Sequence, residues 1–401
     1  MMKDKLAVEG GEPLITKPLP PPYPGALMIG EEEERAVLEV LRSKSLFRYY
    51  GPHPLYKVEE FEKSFARRIG CRYALAVTSG TAALFVAMKA LELKPGDLVA
   101  VPAYTWISTP IAAVYCGARV VLVDVDESLN MDPGELEEVG QDVKLVVPVH
   151  MRGAPADMDG INRVAKSIGA RVLEDVAQAC GGSFRGRMLG SLGDMGAFSF
   201  QLNKNITAGE GGAVTTNDEE LYRRAVAYHD VAAYYRKPEY IPPLPGLNFR
   251  MSELTAAVLV EQLRKLDVIV GRMRRVKRLV RSAVEECGLE PRKLCDEEGD
   301  TGVAVIFYAK TPEKAKLLAK ALSAEGVPAD VLYSPDRKYD GHVWINWKVL
   351  IGEHIVVRGD QGKRTLDLLC RAVQVNISPA MGEEDAELIA RALRKVTARL
   401  T

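Results

Sequence analysis

Between residues 73 and 176 the sequence alternates short, continuous apolar runs with helical stretches, and this alternation limits what the chain can become. ALAVT (74–78), LVAVP (98–102), ARVVLVDV (118–125), VKLVVPVH (143–150) and RVLEDV (171–176) read as strands, with helical patterns over 81–91, 105–115 and 158–168. A strand with one wet face alternates apolar and polar residues, whereas a strand covered on both faces is apolar throughout. Continuous runs therefore predict an α/β fold, a mostly parallel sheet flanked by helices. Such sheets bind ligands beyond the carboxyl ends of their strands, so chemistry is sought there.

On either side the pattern changes. Residues 1–30 are rich in proline and read as an extended arm. Gly30 and the acidic run 31–34 open a helix, with carboxylates where the helix dipole favours them. A second helix over 55–69 carries Val58, Phe61, Phe65 and Ile69 on one face and stops at Gly70. After His229 an aromatic and proline-rich loop (234–245) leads to GLNFRMSE (246–253) and a long helical region to about Cys287. TGVAVIFYA (301–309), a helix over 312–325, VQVNIS (373–378) and a helix over 383–393 predict a smaller C-terminal α/β domain. The expected division is 1–250 for the large domain, arm included, and 251–401 for the small one.

Composition removes several function classes. A net charge of −1 with 27% charged residues offers no field for nucleic acid or a membrane surface, and the basic run 272–278 is expected to be a solvated helix face. No apolar run approaches the ~18 residues of a membrane span. The opening residues lack the apolar core of a signal peptide, so no export is expected. Six cysteines without a C-x-x-C pair suit reduced thiols in the cytoplasm, and five histidines at no metal spacing give no metal site.

Four stretches carry candidate chemistry. The loop NKNITAGEGG (203–212) holds one lysine, Lys204, between two apolar strands (DMGAFSF and AVTT). A lysine near buried surface loses solvation, and its neutral amine can condense with a carbonyl; a stem lying on apolar surface is the bland alternative. TSGTAAL (78–84) joins a strand to a helix and gathers hydroxyls, free N–H groups and a positive helix end, which suits a phosphate or simply a capped helix start. VLEDVAQA (172–179) ends a strand in Glu174 and Asp175, where a carboxylate needs a cation such as a pyridinium, or caps the next turn. PAYTWIST (102–109) puts Tyr104 and Trp106 at another strand end, to stack on a flat ring or to pack the core.

Taken together, a phosphate pocket, a carboxylate, a flat aromatic and a later lysine are the parts of a pyridoxal 5′-phosphate site. Through TSGTAAL, PAYTW, PADMD (155–159), EDVAQA, GSLGDMGAFSF, the loop around Lys204 and GLNFRMSE, the chain resembles the DegT-type sugar aminotransferases, fold type I pyridoxal phosphate-dependent transferases. The resemblance runs from about Gly10 to the helix after Glu253 and, more faintly, to the C-terminus. It implies that Lys204 joins the cofactor as a Schiff base and shuttles protons, and that Asp175 pairs with the pyridinium nitrogen. It further implies that Gln178 contacts the cofactor near that aspartate, that Trp106 stacks on the ring, and that Gly80, Thr81 and Ser199 hold the phosphate. Asn248 is implied to reach the phosphate of a neighbouring subunit, which makes a homodimer with shared sites.

The implied activity is a cytoplasmic aminotransferase that moves an amino group from glutamate or glutamine to a keto sugar or keto cyclitol. The pattern FSFQ…K…TAGEGG is nearest to the inosose aminotransferases and aminohydroxybenzoate synthases, and it singles out Gln201 as a neutral amide on the substrate side of the ring. Arg152, Arg185 and Arg187 keep a nucleotide-linked keto sugar open as the acceptor. Related dehydrases carry histidine where this chain has Lys204, and a non-catalytic, cofactor-binding sensor is a further alternative. Two departures bear on the substrate: Cys180 stands in place of a usual histidine, and MRG (151–153) in place of an aliphatic or aromatic pair before glycine.

Overall fold

A computed structural model describes residues 5–139, 142–337 and 339–400, so the first four residues of the arm lie outside it. Its strands are β1 (Tyr73–Val77), β2 (Leu98–Pro102), β3 (Arg119–Val123), β4 (Val143–Val146), β5 (Arg171–Asp175), β6 (Ser183–Phe184), β7 (Arg187–Met188), β8 (Met195–Ser199) and β9 (Gly212–Thr216). After the long helix Glu253–Glu286 come β10 (Glu290–Pro291), β11 (Ala304–Tyr308), β12 (Ala329–Val331), β13 (Ile355–Val356) and β14 (Ala372–Asn376). The large sheet has the order β1-β9-β8-β5-β4-β2-β3-β13 and the small one β10-β11-β14-β12. In the large sheet β9 alone runs against its neighbours, pairing antiparallel with β1 and β8. This is the α/β, mostly parallel sheet expected from the continuous apolar runs, and both faces are covered: β1, β2, β3, β5, β8 and β9 are almost wholly buried.

Helix ends are set by specific carboxylates and hydroxyls. Ser79 caps the helix Gly80–Ala90 by accepting from Ala82 N–H at 3.1 Å, and Asp157 of PADMD caps Met158–Ile168 by accepting from Gly160 N–H. The helix Lys57–Ile69 has no cap of its own. Buried Glu253 supplies one from the start of the long helix, accepting from Lys57 and Val58 N–H at 2.7 and 3.1 Å. The basic run 272–278 is only partly a solvated face: Lys277 is buried and pairs with Asp300 at 2.6 Å.

The second half of the chain also returns to the large sheet. The pair Ile355–Val356, which the sequence pattern does not announce, adds a parallel edge strand beside β3. Buried Asp124, just past β3, clamps this return. Its Oδ2 accepts from Gly362 N–H at 2.9 Å, and its Oδ1 from Thr365 N–H at 2.9 Å and from the Thr365 hydroxyl. Asp124→Ala leaves three donors without an acceptor in a dry place, a loss of about 2–4 kcal/mol. A thermal melt of the purified variant is expected to show a clear drop in Tm, and an unchanged Tm would mean that the clamp is dispensable.

Candidate active site

The carboxyl ends of β1, β2, β4, β5 and β8 lead into the segments that sequence reading singled out. At the end of β5 the two carboxylates part ways, because side chains alternate along a strand. Glu174 is fully buried and accepts from Gly190, Leu192 and Gly193 N–H at 2.9, 2.6 and 2.8 Å. His150 Nδ1 accepts from Ala156 N–H, which leaves the ring proton on Nε2 to meet Glu174 at 3.1 Å. Glu174 therefore holds the GSLG turn in place. Asp175 is only 4% exposed; it accepts from the Thr109 hydroxyl at 2.8 Å and from Ala177 N–H at 3.0 Å, and it has no ion pair among the described residues. Burial raises its pKa, against the pull of those two hydrogen bonds and of Lys204. Thr109 was a missed residue: PAYTWIST draws the eye to its aromatics, while its last hydroxyl, braced by Thr105 at 2.9 Å, is what holds Asp175.

Lys204 is half-buried in the loop after β8, and its ammonium has neither hydrogen bond nor ion pair among the described residues. Burial lowers its pKa, Asp175 opposes that shift and Arg152 adds to it. Lys204 opens on a cavity of about 410 Å³ shared with Arg152, Gln178 and Cys180. At the end of β1, the Gly80 and Thr81 N–H groups lie in the first helical turn, where no intrahelical acceptor exists. A Cβ on Gly80 would sit 2.6 Å from Ser199 Cβ, so glycine is what lets this helix end close on β8. Trp106 is 48% exposed and leans on His342, with ring centroids 4.9 Å apart, while Tyr104 is buried.

Of the predicted cofactor residues, Lys204 and Gln178 line the Lys204 cavity, while Gly80, Thr81, Trp106, Asp175, Ser199 and Asn248 lie outside its lining. Gln201 spends its amide oxygen on Asn203 N–H at 2.9 Å and does not line the cavity, because the turn before Lys204 folds it back on itself. Arg185 and Arg187 do not line it either; they are exposed, Arg185 paired with Asp159 and Arg187 bonded to Ser191 O, and of these three arginines Arg152 alone lines the cavity. Ser252 caps the long helix Glu253–Glu286, four residues after Asn248. The Asn248 side chain is exposed, lies outside the Lys204 cavity and accepts from Arg250 N–H at 3.4 Å.

Sequence reading also missed two parts of the wall. Pro22 and Pro24 of the arm line the cavity, and Gly25 N–H donates to the Lys204 carbonyl at 3.0 Å. From the second half come His342, held by Asp340 at 3.0 Å, and Gln374 of β14. Neither has a local signal, since both arrive through long-range packing.

The model of the DegT/DnrJ/EryC1/StrS aminotransferase family matches residues 27–394. The chain belongs to that family. It is 36% identical over 356 residues to the L-glutamine:2-deoxy-scyllo-inosose aminotransferase of Streptoalloteichus tenebrarius, covering 82% of this chain and 81% of that one. It is 43% identical over 251 residues to the spore coat polysaccharide biosynthesis protein SpsC of Bacillus subtilis, covering 60% of this chain and 63% of SpsC, less than two thirds of its length. Among solved structures, the aminotransferase from Psychrobacter cryohalolentis superposes with a TM-score of 0.81 at 28% identity, covering 96% of this chain and 100% of that one.

Pyridoxal 5′-phosphate is the cofactor of this family, and the residues present fit it. A buried carboxylate without a cation, an unpartnered amine and a glycine-lined helix start match its ring nitrogen, aldehyde and phosphate in turn.

The lowered pKa of Lys204 has a sign that can be checked. A larger share of its amine is neutral at a given pH than for a free lysine of pKa ~10.4. Trapping of pyridoxal phosphate on the cofactor-free protein with borohydride is therefore expected to rise with pH through a midpoint below that value, with the label on Lys204. Lys204→Ala is expected to keep its fold, by circular dichroism, and to take no label; label on another lysine would refute the assignment.

Proposed function

We propose that this chain transfers an amino group from glutamate or glutamine to the carbonyl of a keto sugar or keto cyclitol. The observation that carries the reading is a pair of unsatisfied charges within electrostatic reach of each other, the Lys204 ammonium and the Asp175 carboxylate, at the carboxyl ends of the sheet. When bound, pyridoxal phosphate supplies an aldehyde that takes up the amino group and a ring that withdraws electrons. The chain's own residues do the rest. Gly80 and Thr81 N–H and the Ser199 hydroxyl would hold its phosphate, and Trp106 and Gln178 would contact its ring. Asp175, fixed by Thr109 and Ala177, keeps a negative charge toward the ring nitrogen. Lys204 Nζ takes the proton from the donor's α-carbon and returns it during the acceptor half of the cycle. The arm from Pro22 to Gly25 lies against this loop and limits the entry of water.

The same reading divides the chain into a large unit (1–250) and a small one (251–401) and makes the enzyme a cytoplasmic homodimer. Among the described residues all six cysteines are free, which suits a reducing compartment, and no helix is long and apolar enough to cross a membrane. Exposed Val231, Tyr235 and Leu247 surround the segment of Asn248 and suit a second copy of the chain, whose phosphate Asn248 would reach. Mixing Lys204→Ala with Asn248→Ala subunits is then expected to return activity that neither variant has alone. Heterodimers without activity would count against the shared site.

The relative named for its action on 2-deoxy-scyllo-inosose favours a free ring as acceptor, and a nucleotide-linked sugar stands second. Enzyme loaded with pyridoxamine phosphate and offered keto-inositols, free keto sugars and nucleotide-linked keto sugars separates the two. Return of the visible absorbance of the aldehyde form is expected with the free rings. A response to nucleotide-linked sugars alone would reverse the preference.

A further inference from the structure

The chain turns sharply after β4 at Arg152, whose backbone is left-handed (φ 53°, ψ 41°), a conformation that a side chain adopts only where its surroundings hold it. Two contacts do so: Arg152 N–H donates to Gln178 Oε1 and Arg152 Nε to the Tyr104 hydroxyl, each at 3.2 Å. The half-buried guanidinium thereby lines the Lys204 cavity, and among the described residues it has no ion pair. The nearby acid is already engaged, since Asp340 Oδ1 accepts from His342 N–H at 2.9 Å and from its ring at 3.0 Å. The other cavity arginine, Arg337, is neutralised by Asp330. Two cations without an ion pair, Arg152 and Lys204, thus share one pocket, with Asp340 and Asp175 as their longer-range counter-charges, and the second is accounted for by the reaction while the first is not.

A second observation comes from the opposite wall. Gln374, on the central strand of the small sheet, is 8% exposed, and its Nε2 donates to Asn376 Oδ1 at 2.6 Å. Gln374 also lines the cavity, and its Oε1, enclosed in this structure, has no hydrogen-bond partner. A buried acceptor left open is costly and points to a donor from a ligand. A guanidinium without a carboxylate calls for a planar or tetrahedral oxyanion, which it binds through paired N–H groups. A neutral polyol would satisfy Gln374 and leave Arg152 bare.

We propose that the acceptor, on the reading that it is a keto sugar or keto cyclitol, carries an anionic group, phosphate or carboxylate, which Arg152 binds while Gln374 Oε1 accepts from a ring hydroxyl.

Calorimetric titration of the holoenzyme with three non-reacting rings tests the assignment: myo-inositol 1-phosphate, glucuronate and myo-inositol. At least one anionic ring is expected to bind on the order of 10- to 100-fold tighter than the neutral one, and whether phosphate or carboxylate wins identifies the anion. Arg152→Gln is expected to erase that preference and Arg152→Lys to restore part of it, whereas Gln374→Met weakens all three rings several-fold. Equal binding of the three rings by the unaltered enzyme overturns the inference. So does an Arg152→Gln variant that loses as much affinity for glutamate or glutamine as for the anionic ring, since the guanidinium would then belong to the donor's carboxylate. If no amino donor alters the absorbance of the bound cofactor, the aminotransferase reading itself fails; if donors react but anionic rings hold no advantage, only the present inference does.

Discussion

The end of β5 carries two adjacent carboxylates, and the period of two along a strand sends them to different tasks. Glu174 gathers three backbone N–H groups and the His150 ring, which saturates a charge that burial would otherwise make costly. Those bonds fix the GSLG turn, the turn fixes where β8 starts, and β8 delivers Ser199 and then the loop of Lys204. Asp175 receives only a threonine hydroxyl and one N–H, so its charge stays incompletely compensated. One residue makes the scaffold rigid and its neighbour remains available to a cationic partner. The site exists because these two demands are met on opposite sides of one strand.

The rest of the molecule closes around that point from a distance in sequence. The arm lies across the Lys204 loop through Gly25 N–H, and a Cβ at Gly25 would approach Thr207 N to 2.8 Å, so the two backbones touch. Asp124 ties the segment near Gly362 and Thr365 to the end of β3, and that same return brings His342 beside Trp106. The small sheet adds Gln374 on its central strand. The pocket is therefore walled by three stretches that no local pattern links.

Much of this was legible beforehand because it is local. Continuous apolar runs predicted buried parallel strands, and the strand-to-helix junctions at TSGTAAL and EDVAQA stand where such sheets place ligands. Lys204 and Asp175 stand out for the same reason: a lone charge at the end of an apolar strand has few explanations. The direction of Gln201 has no local signal, because it depends on its turn, and this turn uses the amide itself. Thr109 was passed over because a hydroxyl reveals its partner only when the fold brings one. The edge strand β13 is two residues long, too short to leave a periodic pattern.

What the sequence determined by itself is the layered α/β architecture, the positions of the strand ends and the residue types that gather there. Burial of apolar runs and the geometry of helix starts follow from neighbours in the chain, so they can be read from it. Which charges find partners was decided only by the tertiary structure. Glu174 meets a histidine and Asp175 has no ion pair, Arg337 pairs with Asp330 and Arg152 with no carboxylate, because each outcome depends on donors and acceptors contributed by other segments of the chain.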